Sequence, residues 1–539
     1  MKKTLALVLL FMISFAARIY QSGQLPAILN RDEAALAYNA YLLKETGHDE
    51  WGKTWPLSLE SFGDYKLPGY VYSLVGLFQV LPLADWVVKL PSVIAGSVLV
   101  ILAFFFAKAV RFRDSWAWLF AILIATSPIF FFYSRIAFEA NLALALFVAA
   151  LVLLLFKAKG KVNRKAREGA LGYKKRHVFD FTAMLLVLYS VFTYNTPLLL
   201  LPFILPVIIW IRGVKLWKKW LTPILGLSII IIIAGSQLLS LSSQKSGITI
   251  FQDETSQTNL INYHQQFSGV WKTVLGNRYI YYSYLIGQNY FQSFSPDFIV
   301  NARDAHPWHS LPDHGHLLGV VYFFGIIGIL AIVYELLLAI KNRQFTNKTR
   351  VHASLLYLLL ISLLPAAVTV DAPHATRSLL FFFLFNLFTL FGLKESYHFI
   401  RDHTQIRKNA LFAVSSIFLI VFSFRYYKDY FVSYAHQQQS LKPGFEEIVN
   451  QADQQYSDQE IVIIDEEGYQ YILLAWYLKI TPQKFFEGIV RQLPDKIGFR
   501  YGERVDKYHF IAHIDDRSEN EKVIINWNKI EEKWEISEL

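Results

Sequence analysis

Cysteine is absent from all 539 residues. Neither a disulfide nor a thiolate metal site can therefore hold any exported part together, and catalysis is left to oxygen and nitrogen groups. There is no repeat of about 20–50 residues and no low-complexity linker, which sets aside solenoid and linker-strung arrangements. No nucleic-acid-binding motif accompanies the formal charge of +10, so no nucleic acid partner is expected and the distribution of that charge is what informs. Charged residues are scarce, 17% against 54% hydrophobic and 16% aromatic. With a mean hydropathy of +0.32 and apolar residues in long blocks instead of short alternating runs, the composition is that of a membrane protein.

A bilayer-spanning helix needs about 20 mostly apolar residues. Segments that reach or approach this are read at 4–20, 90–110, 116–134, 140–156, 178–194, 197–211, 221–241, 317–340, 351–369, 379–393 and 410–425, eleven in all. The first has the look of a signal peptide, with Lys2 and Lys3 before an apolar stretch. Phe15 fits poorly three places before a cut after Ala17, so an uncleaved first helix is expected. With the amino terminus inside, Arg111 and Arg113, the basic run 157–176, and the groups around Lys215, Lys341 and Lys394 all fall on one side, as the positive-inside bias requires. The short opposite loops hold only Arg135 and Arg377. Residues 67–83 are apolar but short for a crossing, and counting them as one would turn every basic loop outward. They are read as an interfacial helix.

Two large regions then face outward, 21–89 and 242–316. The tail is a third, with strands expected at 460–464, 509–514 and 522–527 and helices at 445–455 and 469–478. The expected architecture is a polytopic α-helical membrane protein of about eleven spans (1–425) with a small extracytoplasmic α/β domain (426–539).

Acids and bases concentrate in the outer segments. Asn30-Arg31-Asp32-Glu33 opens a helix with two carboxylates in its first turn. They complement the helix dipole, or one is placed to deprotonate an incoming hydroxyl at the membrane surface. In Asp64-Tyr65-Lys66-Leu67-Pro68-Gly69-Tyr70, Lys66 either snorkels to head groups or neutralises a phosphate at the interface. Arg135 and Glu139, four residues apart in a very short loop, close it as an ion pair or serve function, since charges between spans are costly unless used. His374 and Arg377 in Asp371-Ala372-Pro373-His374-Ala375-Thr376-Arg377-Ser378 pose the same choice between snorkelling and a phosphate clamp. His306, His309, His314 and His316 invite a metal reading, but their spacing matches no established zinc signature. Substrate contact or loop polarity is the stronger reading; no metal ligand is assigned, and a divalent cation stays open.

Taken in order, these motifs resemble the GT-C glycosyltransferases over about residues 5–425. They are Asp32-Glu33 after the first span, Lys66-x-Pro68-Gly69-Tyr70 before the interfacial helix, and Leu90-Pro91-Ser92 opening the second span. Ser127-Pro128, the Arg135/Glu139 loop and Pro373-His374-x-x-Arg377-Ser378 complete the set. The nearest branches are the family 39 protein O-mannosyltransferases and the lipid A aminoarabinose transferases. The resemblance implies a polyprenyl-phosphate-sugar donor, an inverting single displacement and a glycan, lipid or protein acceptor at the outer membrane face. It implies Asp32 as the acceptor-activating base with Glu33 beside it, Glu139 as the acid of the second outer loop, and Lys66 as a contact to the donor phosphate. Arg377, with Arg135 or His374, is read as offsetting charge on the leaving phosphate, and Asp64, His306, His309 and His314 as substrate-loop residues. The sequence departs from the lipid A enzymes in placing Tyr65 between Lys66 and the nearest acid, and from the eukaryotic mannosyltransferases in an outer loop too short for a β-trefoil. A transporter or lipid flippase would also need many spans, yet such proteins place polar sites near the midplane. An O-antigen ligase or polymerase would use lipid-diphosphate donors.

Overall fold

The structure, a computed structural model, describes residues 2–156, 170–212, 226, 228–230, 232, 249–301, 304, 309–403, 408–434, 442–495, 498–518 and 521–538. In chain order, α1 (Lys2–Ile19) and α2 (Arg31–Thr46) precede the strands β1 (Leu59–Ser61) and β2 (Asp64–Lys66), then α3 (Pro68–Phe78) and α4 (Asp85–Ala109). Next come α5 (Asp114–Thr126), α6 (Pro128–Phe132), α7 (Glu139–Phe156), α8 (Ala170–Val191) and α9 (Asn195–Arg212). The long segment that follows carries α10 (Glu254–Gln265), α11 (Gly269–Val274), α12 (Arg278–Ser293) and α13 (Pro296–Ile299). The apolar helices resume with α14 (Gly319–Lys341), α15 (Asn347–Ile361), α16 (Leu364–Ala367), α17 (Leu379–His403) and α18 (Lys408–Lys428). Four helical stretches, Asp85–Ala109, Gly319–Lys341, Asn347–Ala367 and Thr376–Arg401, are long and apolar enough to cross a membrane. The chain is a polytopic helical membrane protein.

Helices stand where ten of the eleven segments were expected, and 221–241 lies mostly outside the described residues. Residues 116–134 form two helices, α5 and α6, because Pro128 has no N–H to continue the ladder past Ser127. The helix expected at 67–83 is shorter, Pro68–Phe78, with Pro68 at its first turn where a missing donor costs nothing.

The chain divides into two compact units. One comprises 1–18, 94–134 and 139–428; the other comprises 19–93, 135–138 and 429–539. The first is the helical unit. Its central helix is α17, whose apolar stretch is almost wholly buried, with the Phe383 ring meeting Phe106, Phe120 and Phe130 edge-on. α14 and α17 approach backbone to backbone: a Cβ at Gly392 would sit 1.8 Å from the Phe324 carbonyl oxygen. Small residues permit such close helix packing in a membrane, where no water drives association.

The second unit joins the segment 19–93 to the tail. Its six-stranded sheet runs β4-β5-β6-β3-β7-β8, built from β3 (Ile461–Ile464), β4 (Val490–Arg491), β5 (Gly502–Val505), β6 (Tyr508–Ile511), β7 (Val523–Asn528) and β8 (Lys533–Glu538). β3 pairs parallel with β6 and β7, and the remaining pairs are antiparallel. The helices α19 (Phe445–Gln455), α20 (Gln470–Tyr477) and α21 (Pro482–Gly488) complete it. α20 packs on α2: the Tyr477 hydroxyl accepts from Leu29 N, and Tyr38 donates to the Ile480 carbonyl. The Trp476 indole donates to Asp85 at 2.8 Å. Glu50, buried, accepts from Asn39, Tyr471 and Arg491, and the Arg491 guanidinium lies 3.8 Å from the Trp51 ring centre. A buried carboxylate is tolerable only when so surrounded, and here its partners come from both ends of the sequence.

Candidate active site

In the second unit the start of α2 and the hairpin β1–β2 bring three candidate residues together. Asn30 caps α2, its side chain accepting from Asp32 N at 2.9 Å and Glu33 N at 3.0 Å. In this capping box Asn30 N is the donor and the Glu33 carboxylate the acceptor; the box fixes the first turn and leaves the Asp32 carboxylate free of cap duty. The hairpin turns on Phe62 and Gly63, both with positive φ (41° and 85°), the backbone that a tight two-residue hairpin requires. Asn39 of α2 donates to Ser61 at 3.2 Å and ties the hairpin to the helix. Lys66, at the end of β2, is consequently delivered to α2: its Nζ lies 2.7 Å from Asp32 Oδ1 and 3.2 Å from Asp64 Oδ2. The lysine side chain is 8% exposed and the Asp32 side chain 27%, so the cation is covered while the carboxylate keeps access to solvent.

Glu33 is placed otherwise. It is buried, and besides Asn30 N it accepts from Ala137 N at 2.6 Å. Burial pushes its carboxyl above the ordinary carboxylate range, against the opposing pull of Lys89. One oxygen thus closes the cap on Asn30 N and the other holds the 135–138 segment. Arg135 is likewise structural in its setting: wholly buried, it donates to Tyr430 OH, to the Tyr20 carbonyl and to the Leu25 carbonyl, and stacks on Tyr430 and Phe431. It is not placed with Lys66, because its guanidinium is directed into the backbone of the 20–25 turn.

In the helical unit a second cluster forms around Asp304, His309, His374 and Arg377. Asp304 Oδ1 is 3.1 Å from His309 Nδ1, and Oδ2 accepts from Ala375 N at 2.7 Å. The His309 and His374 rings lie 4.7 Å apart, and His374 Nδ1 is 2.9 Å from Thr376 Oγ1. Arg377 donates to Thr369 Oγ1 at 2.7 Å and has Asp371 at 3.8 Å. Tyr194 OH meets Thr376 Oγ1 at 3.0 Å, at the polar end of an apolar crevice walled by α7, α9 and the start of α17. Glu139 opens α7, where a carboxylate suits the helix start. His314 lies against the Tyr426 ring at 5.2 Å. His316 is buried between Phe298 and Phe382, and burial holds its imidazole down to about 4, hence neutral. His306 lies outside the described residues. Asp304, His309 and His374 each offer one ligand atom within 4.8 Å of the others, the group among the described residues with donors for a cation. The 65 positions separating His309 from His374 explain why local spacing gave no such signature.

No family model and no curated protein matches the sequence. Among solved structures, the chain is similar to the archaeal oligosaccharyltransferase AglB from Archaeoglobus fulgidus in complex with an inhibitory peptide and a dolichol-phosphate, at 13% identity and a TM-score of 0.49 over 97% of this chain and 69% of that one. It is similar to the same organism's oligosaccharyltransferase tethered with an acceptor peptide (14%, TM-score 0.48, 87% of this chain and 62% of that one). A further neighbour is ArnT from Cupriavidus metallidurans bound to undecaprenyl phosphate (11%, TM-score 0.47, 88% and 84%). Both proteins are GT-C glycosyltransferases. The chain spans about three fifths of the length of the peptide-tethered oligosaccharyltransferase.

One residue at the site was passed over in the sequence. Arg31 stands at the first position of α2, with its guanidinium 5.8 Å from the Phe62 ring centre, the ring that Lys66 also approaches at 5.9 Å, and 5.7 Å from Tyr469. A cation at a helix start opposes the dipole, and that local conflict was the available signal.

Proposed function

We propose that the chain is an inverting glycosyltransferase which moves a sugar from a polyprenyl-phosphate carrier to an acceptor hydroxyl on the outer face of the membrane. The observation that carries this reading is the Asp32–Lys66–Asp64 constellation at 2.7 and 3.2 Å, a partly exposed carboxylate on a capped helix start beside a covered cation. Asp32 accepts the acceptor's proton as its oxygen attacks the anomeric carbon. The bond from that carbon to the phosphate oxygen breaks, and the electron pair leaves with the polyprenyl phosphate. In the helical unit, taken by itself, Arg377 and His374 offer a forked guanidinium and an imidazole suited to phosphate oxygens, next to the apolar crevice that ends at Tyr194 and Thr376. Glu33 and Arg135 act as positioning residues through the 20–25 and 135–138 segments. The eleven-span topology, with both clusters on outer segments, belongs to the same proposal.

Asp32→Asn tests it. Glycolipids and glycoproteins from cells carrying the parent chain, the variant or neither are compared by mass. A sugar-bearing product is expected only with the parent, since a positioned base is worth about 10²- to 10⁴-fold, and the purified variant should still bind a non-hydrolysable polyprenyl-phosphate-sugar analogue. Undiminished product from Asp32→Asn would return this carboxylate to the role of a helix-start residue.

A further inference from the structure

The helical unit holds a second cavity, about 450 Å³, at the other end of α17 from the His374–Arg377 cluster. Lys394 and His398 on its wall follow Arg377 by 17 and 21 positions, about 25–32 Å along the helix at 1.5 Å per residue. Around it converge Arg111 and Arg113 from the link between α4 and α5, Lys348 and His352 from α15, and Lys394 and His398 from α17.

Among the described residues, the acids in the neighbourhood do not balance this charge. Glu335 takes both Lys348 (2.8 Å) and His352 (3.1 Å), Glu395 stands 4.0 Å from Lys394, and Asp114 is held by Lys3 and Lys108. Neither Arg111 nor Arg113 has a carboxylate partner among the described residues. Arg111 also occupies the left-handed position that ends α4, with φ of 78°, while Phe112 N bonds back to the Ala107 carbonyl. Glycine is the usual residue there, because a side chain costs about 1 kcal/mol in that conformation. The chain thus accepts backbone strain to set a guanidinium at the cavity mouth. Trp116 and Tyr397 supply aromatic wall of the kind that settles at a head-group boundary.

We infer that this cavity binds a phosphate-bearing anion, held by the paired arginines and Lys394 in the segments that the positive-inside bias assigns to the inner face. Guanidinium forks match phosphate oxygens, and basic pockets between helices on that side suit phospholipid head groups. The inference does not depend on the transferase reading, since it uses none of those residues.

The full chain, in detergent, is titrated with inorganic pyrophosphate. In a parallel arm the chain is placed in nanodiscs of phosphatidylcholine with and without phosphatidylglycerol, and bound lipid is counted by native mass spectrometry. Binding in the first arm identifies a soluble phosphate, binding in the second a head group, and either supports the site. Arg113→Gln and Lys394→Gln should each weaken it about fivefold and together about 25-fold, one charge being worth about a factor of five near a membrane surface. The effect should shrink in high salt. Arg113 is exposed, so its single variant cannot fail for want of folding. Lys341→Gln, at the end of α14 and off the cavity wall, should bind as the parent does. Absence of binding in both arms, parental affinity in the double variant, or an equal loss in Lys341→Gln would each overturn the inference.

Discussion

Lys66 divides one positive charge between Asp32 and Asp64, so the three residues together carry a net negative charge and do not by themselves attract a phosphate. Arg377 differs: its Nη1 is held by a neutral hydroxyl at 2.7 Å, and its acid neighbour stands off at 3.8 Å. The two cations should therefore fail differently. Arg377→Gln is expected to weaken binding of a polyprenyl-phosphate-sugar analogue by about 10-fold or more, the worth of one charge-assisted bond, and to lower turnover with it. Arg377→Lys should recover only part, because an ammonium does not copy the fork. Lys66→Met should lower turnover far more than donor affinity, since what it loses is the group that orients Asp32. Equal losses of affinity in Arg377→Gln and Lys66→Met, by direct titration, would return Lys66 to the phosphate.

Gly63 is the pivot of the element that delivers Lys66. At φ 85° a side chain is strained by about 1–2 kcal/mol, and an added Cβ would also meet the Gly498 carbonyl oxygen at 2.6 Å. Gly63→Ala should leave the protein inserted but cut transfer by at least 10-fold while the donor analogue still binds; unchanged transfer would show that the hairpin does not set the lysine. This hairpin was not legible in the sequence, because Leu59–Ser61 and Asp64–Lys66 are strands of three residues each, too short to show a period of two. α20 and β7 were legible within a residue or two because their apolar periodicity is local. β8, Lys-Trp-Glu-Ile-Ser-Glu, alternates Trp534 and Ile536 with polar residues over only six positions, too few to assign by pattern, and becomes a strand by pairing with β7. At the site, the Asp32 turn was visible as a helix start with two carboxylates in its first turn. The Lys66 pairing was not, since it joins positions 34 apart through a fold that only tertiary packing creates.

For the whole molecule, the side on which each loop lies rests on how residues 67–83 are read. If they crossed, the inward and outward assignments of every later loop would exchange. Their helix is Pro68–Phe78, 11 residues, about 16 Å long at 1.5 Å per residue against a hydrocarbon core of about 30 Å. Its flanks are also anchored within one compact unit: Lys66 by Asp32, and Asp85 by the Trp476 indole. The absence of natural cysteine makes a direct test possible. Glu45, exposed at the end of α2, and Val80, 80% exposed just after α3, are the positions to label; Asp85 is unsuitable because replacing it removes a bond to the tail. Glu45→Cys and Val80→Cys should both react with an impermeant thiol reagent on intact cells, and Lys341→Cys, in a basic segment assigned inside, should react only after permeabilisation. If Glu45→Cys alone were labelled, α3 would have to be a crossing and Asp371 to Ser378 would move inside. Arg377 and His374 could then not meet a donor on the outer face.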